Sequence, residues 1–94
     1  LKKFGPEEGK FSFPMDGYTI AMDFPINNKT LSLMNRLDEI TSKYGGRIYL
    51  AKDSRMSKET LFETEKRLKN FDNLRKKFDT KKKFESSQST RLGI

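Results

Sequence analysis

The chain has 94 residues, with 20 Lys and Arg against 13 Asp and Glu for a net charge of +7, and only 33% of it is apolar. So short a chain makes one domain at most and buries too little surface for a large core, so neighbouring protein is expected to complete it. Having neither Cys nor His, it holds no disulfide framework, thiolate nucleophile, Cys/His zinc site or Ser-His-Asp triad, which leaves chemistry to Lys, Arg, Tyr and carboxylates.

Residues 1–17 carry Gly5, Pro6, Gly9, Pro14 and Gly17, a density that predicts turns with one brief strand at residues 10–13. Over residues 18–26, Tyr18, Ile20, Met22 and Phe24 alternate with Thr19, Ala21 and Asp23. That period of two predicts a half-buried strand, closed by Pro25. A helix of about 15 residues is predicted to start at Asn28 or Thr30, because Leu33, Leu37, Ile40 and Tyr44 recur at spacings of four, three and four before Gly45 and Gly46 stop it. Its apolar face is expected to pack on the strand before it. Residues 47–52 are short, β-branched and aromatic, and predict a second strand.

Ser57 is the expected N-cap of a second helix, with Glu59 in its first turn. Leu61, Leu68, Phe71, Leu74 and Phe78 mark its apolar stripe, with a break expected near residues 70–73. The Ser/Thr-rich tail, residues 84–94, is expected to be loose unless it docks on something. The fold class predicted is α+β: a strand-helix-strand-helix fragment whose antiparallel-type sheet has helices on one face. No internal repeat is visible. No stretch approaches the roughly 20 apolar residues of a membrane-spanning helix, and the basic start leads into no apolar signal core, so a soluble, cytoplasmic protein is expected. A chain that opens on Leu1 rather than Met reads as part of a longer one.

Residues 66–83 hold nine Lys and Arg against two Asp, an excess of seven that equals the net charge of the whole chain. Clustered lysines gain affinity for nucleic acid by releasing phosphate counterions. A helical apolar stripe with no base-stacking platform instead makes this a solvated basic face, and nucleic acid an unfavoured partner. Lys52, Asp53 and Arg55 fall where a predicted strand gives way to a loop, a favoured place for functional side chains. The competing reading is a surface ion-pair cluster with Tyr49 in the core. Glu7, Glu8 and Glu85 fall in predicted loops and read as solvated, so paired carboxylates for acid/base work are not evident.

The run from Gly45 through Arg47, Tyr49 and Lys52 to Arg55, followed by Arg75, Asp79, Phe84, Ser86, Arg91, Leu92 and Gly93, resembles the C-terminal part of FAD-linked oxidases of the vanillyl-alcohol oxidase type. Among these it is most similar to the decaprenylphosphoryl-β-D-ribose 2′-oxidase group. Phe4-Gly5, Ser12-Phe13-Pro14, Gly17 and Asp23-Phe24-Pro25-Ile26 extend the resemblance over nearly the whole chain. It implies that residues 1–46 end the substrate-covering cap and that residues 47–94 return to the flavin. The FAD-binding domain proper would be an N-terminal partner in the same protein, and the fragment would neither act alone nor bind FAD tightly.

By the same resemblance, Lys52 matches the active-site lysine at flavin and substrate, while Tyr49 and Lys2 match positions lining that pocket. Thr19 and Ala21 stand at pocket positions where some members have Asn and Cys, and Glu65-Lys66 replaces a Tyr-Pro, departures that bear on which alcohol or sugar is the substrate. The lysine has a physical reason: hydride transfer to flavin N5 leaves negative charge at N1 and the C2 carbonyl, which a fixed cation stabilises. It serves equally to orient the substrate hydroxyl. The alternative from another class is a small basic binding module for nucleic acid or an acidic protein partner.

Overall fold

The computed structural model describes residues 1–94 except Glu7, Glu8 and Lys10. Strands β1 (Lys2–Phe4) and β2 (Gly17–Thr19) pair antiparallel, with Lys2 opposite Thr19, Lys3 opposite Tyr18 and Phe4 opposite Gly17. Among the described residues four α-helices follow: α1 (Asn28–Lys43), α2 (Lys58–Thr64), α3 (Leu68–Phe78) and α4 (Ser87–Leu92). The α+β class and the antiparallel pairing are as expected, but the elements are placed differently. Residues 11–13 are not a strand, and Lys10 lies outside the described residues. The strand predicted over 18–26 ends at Thr19, because three residues of β1 can support only three pairs and a strand exists only where its backbone finds a ladder.

Residues 47–52 are not a strand either. Tyr49 is extended, with φ −77° and ψ 100°, but residues Leu50–Lys52 close into a 3-10 turn. The Lys52 N–H donates to the Tyr49 carbonyl and the Asp53 N–H to the Leu50 carbonyl. A β-branched, aromatic segment fits a pleated surface only when a strand runs beside it. Here the single ladder among the described residues belongs to β1 and β2.

Helix α1 starts where the side-chain oxygen of Asn27 accepts the Thr30 N–H at 3.0 Å. It stops where Gly45 takes a left-handed φ of +69°, and the Gly46 N–H folds back to the Thr41 carbonyl at 2.8 Å. The face expected to be buried is largely bare: Leu33, Ile40 and Tyr44 are exposed. The helix instead turns Met34, Asp38 and Thr41 inward, one position further along each turn, a rotation of roughly 100°. Arg55 explains the rotation. Its guanidinium grips the Asp38 carboxylate with two bonds, 2.7 and 2.8 Å, and donates to the Met34 carbonyl. Asp38 is only 7% exposed, so Arg55→Met leaves a shielded carboxylate without its cation. The expected cost is about 1–3 kcal/mol in urea unfolding of the full-length protein; a loss below about 0.3 kcal/mol would mean the pair does not hold α1.

Ser57 caps α2 by accepting the Thr60 N–H at 3.1 Å, as its sequence predicts. The break comes earlier than expected, at Glu65 rather than near residues 70–73. The Glu65 carboxylate accepts the Arg67 N–H at 3.0 Å and the Arg67 guanidinium at 2.8 and 2.6 Å. This local pairing competes with helix continuation. The apolar stripe is buried only in its first half: Leu61 and Leu68 are enclosed, Phe71 is half-buried and stacks on Phe11 at 4.6 Å, and Leu74 and Phe78 are exposed. The core is Met56, Leu61, Leu68 and Leu92, with Phe11, Ile48, Leu50 and Ile94 packed against it. The tail therefore docks. Ser86 and Ser89 form a reciprocal cap for α4, and Gly93 ends it with a left-handed φ of +69°.

Candidate functional site

Lys52 closes the 3-10 turn and its side chain is exposed. Its neighbours in sequence are committed elsewhere: Arg55 to Asp38, and Asp53 to Arg91 at 2.7 Å. The expected alternative of a local ion-pair cluster is therefore half met. Asp53 and Arg55 are paired, but through partners 38 and 17 residues away, and no ion pair or hydrogen bond reaches the Lys52 ammonium among the described residues. Tyr49 is not a core residue; it is exposed, with its ring tilted against Phe13 at 5.1 Å.

Phe13 in turn meets the edge of Phe4 at 6.1 Å, and the Lys2 ammonium lies 4.7 Å from the Phe4 ring centroid. Lys2 faces Thr19 across the ladder. Four of the five expected site residues thus fall on one line: Lys2 and Thr19 on the sheet, joined through Phe4 and Phe13 to Tyr49, which opens the turn that Lys52 closes. Ala21 is set apart. It is exposed, beyond the end of β2.

Beside the turn lies a cleft of about 280 Å³, walled by Phe11, Phe13, Tyr49, Leu61, Arg47 and Glu65. Ser12 also lines it, and the buried Ser12 hydroxyl has no hydrogen-bond partner among the described residues. Two arginines build the wall from distant segments. Arg67, held by Glu65, donates to the carbonyls of Gly9 and Ser12, and Arg47 donates to the Pro14 carbonyl at 3.1 Å. Neither bond carries a sequence signal, although Arg47 falls in the run that bears the resemblance, because each joins positions more than 30 apart whose side chains look like ordinary surface charge.

Burial by itself would push the Asp53 and Glu65 carboxyls up. Hydrogen bonds win at both: Arg91 and the backbone N–H groups of Met56 and Arg55 hold Asp53 below the usual carboxylate range, and Arg67 does the same for Glu65. A depressed folded value means stability that is present above the ordinary carboxylate pKa and lost as pH falls through the lowered one. Acid unfolding is therefore expected to steepen below about pH 4. Asp53→Asn should flatten part of that loss in a circular-dichroism acid titration; an unchanged acid limb would place the lability elsewhere.

Comparison with known proteins bears on this site. The family model for D-arabinono-1,4-lactone oxidase matches residues 18–92. The whole chain is 35% identical, over 95 residues, to decaprenylphosphoryl-beta-D-ribose oxidase of Mycolicibacterium smegmatis, and covers 21% of that protein. It is 36% identical, over 96 residues, to an uncharacterized protein in the mprA 5′ region of Streptomyces coelicolor, and covers 26% of it. The chain thus spans about a fifth to a quarter of the length of these curated relatives.

Proposed function

Because this chain belongs to the D-arabinono-1,4-lactone oxidase family of FAD-linked oxidases, we propose that it is the C-terminal, substrate- and flavin-facing part of an FAD-dependent oxidoreductase acting on an alcohol or sugar hydroxyl. In this reading residues 1–46 end the substrate-covering cap and residues 47–94 return to the flavin domain. The observation that carries it is the placement of Lys52 at the end of a turn whose Tyr49, Leu50 and Ala51 line an aromatic cleft, with its two charged neighbours engaged elsewhere and no partner for its own ammonium among the described residues.

The donor set fits the electron-rich edge of a flavin: the Lys52 ammonium, unpaired among the described residues, and the Tyr49 hydroxyl, whose ring leans on Phe13. When bound, FAD supplies the acceptor for the hydride leaving the carbinol carbon. Lys52 holds a positive charge where negative charge develops, and it does so as a compact point charge on a flexible stem. Tyr49, Phe13 and Phe4 form an aromatic surface against which a sugar ring can lie, and Lys2 and Thr19 offer polar groups at its far end. The shielded Ser12 hydroxyl supplies one more polar group in the cleft.

The exposed apolar faces support an N-terminal FAD-binding partner in the same protein. Ile20, Met22, Leu33, Ile40 and Tyr44 are open to solvent on this piece, more apolar surface than scattered single residues explain. No helix among the described residues is long and apolar enough to cross a membrane. The test is a visible absorbance spectrum of the full-length protein, followed by anaerobic addition of candidate sugars. Flavin bands that bleach with a polyol or aldose support the reading, and a protein without flavin bands overturns it.

A further inference from the structure

We propose that Gln88 and Arg91, both on α4, are positioning residues that clamp the two ends of the Lys52 turn and so fix where the Lys52 ammonium can reach. The proposal rests on the reading of Lys52 as the functional cation, and concerns what makes it so. A three-residue 3-10 turn has poor hydrogen-bond geometry and little stability of its own. A lysine side chain also has wide rotamer freedom, so its charge is useful only if the backbone beneath it is held.

That backbone is held from the tail. The Gln88 amide nitrogen donates at once to the Leu50 carbonyl at 2.6 Å and to the Asp53 carbonyl at 3.2 Å, the first residue of the turn and the residue after it. Arg91 grips the Asp53 carboxylate at 2.7 Å and also donates to the Met56 carbonyl. The Asp53 carboxylate, whose side chain is 3% exposed, caps the next bend by accepting the N–H groups of Arg55 at 3.1 Å and Met56 at 2.8 Å. Helix α4 is itself fixed by its reciprocal Ser86–Ser89 cap and by fully buried Leu92. Neither Gln88 nor Arg91 lines the cleft, so both act through the turn.

The test uses the full-length protein, with Gln88→Met as the first variant, because it keeps the side chain's length and removes only the donor. Hydrogen exchange read by mass spectrometry should show the amides of Lys52 and Asp53 exchanging about tenfold faster or more, with those of α1 unchanged. Flavin reduction at saturating substrate should slow by roughly ten- to a hundredfold, as small misplacements of a reacting group do. In a Lys52→Met background the same change should cost nothing further, because a residue that acts through Lys52 has nothing left to position. Arg91→Lys, which keeps the charge and loses the fork, should give an intermediate effect on both readouts.

Unchanged exchange at the turn overturns the clamp. Faster exchange with an unchanged reduction rate, or losses that multiply in the double variant, overturns the positioning role while leaving Lys52 as the functional cation. A Lys52→Met single variant that reduces at the normal rate overturns the Lys52 reading and with it the catalytic meaning of the clamp; the exchange result still reports separately whether Gln88 holds the turn.

Discussion

Lys52→Met in the full-length protein is expected to slow flavin reduction by its substrate about 10²-fold or more, the scale lost when one preorganised electrostatic stabiliser is deleted. Methionine keeps the unbranched stem and removes the cation, so the loss reports charge. Folding should change little, because the Lys52 side chain is exposed and bonds to nothing among the described residues. The same variant separates two roles. If the ammonium serves the reduced flavin, the flavin potential falls; if it serves the substrate, binding weakens while the potential holds. Stopped-flow bleaching at saturating substrate is the measurement, and an unchanged rate would reduce Lys52 to a surface cation.

Leu92→Ala is the substitution expected to cost most in stability, about 3–5 kcal/mol in urea unfolding of the full-length protein. Leu92 is 0% exposed and sits in a core of four buried apolar side chains among the described residues. So small a core has few neighbours able to collapse into the void. The expected consequence reaches past stability: α4 loosens, and with it the two side chains that hold the Lys52 turn. Activity should therefore fall under conditions where the protein remains folded. A loss below about 1 kcal/mol would mean that the tail is not part of the core.

Features set by a few adjacent residues are legible without the fold. The Asn28 start and the Gly45 stop of α1 and the Ser57 cap of α2 are local, because a capping side chain or a left-handed glycine acts within three or four positions. Lys52 stands out in the sequence only as a residue type at the end of a predicted element.

The tertiary structure decided everything that depends on a distant partner. Residues 47–52 have strand-like side chains, yet they form a turn because no edge runs beside them and Gln88 takes the Leu50 carbonyl. The apolar spacing of α1 pointed Leu33 and Ile40 inward, yet Arg55 rotated the helix to bury Asp38. The tail read as loose because its polar face dominates, and one leucine with one arginine ties it to the core and to Asp53. An ion pair or a side-chain bond to a carbonyl is worth enough to choose between near-equal packings. Its energy nevertheless depends on a meeting between positions 17 to 38 residues apart, which no local pattern of apolar and polar residues records.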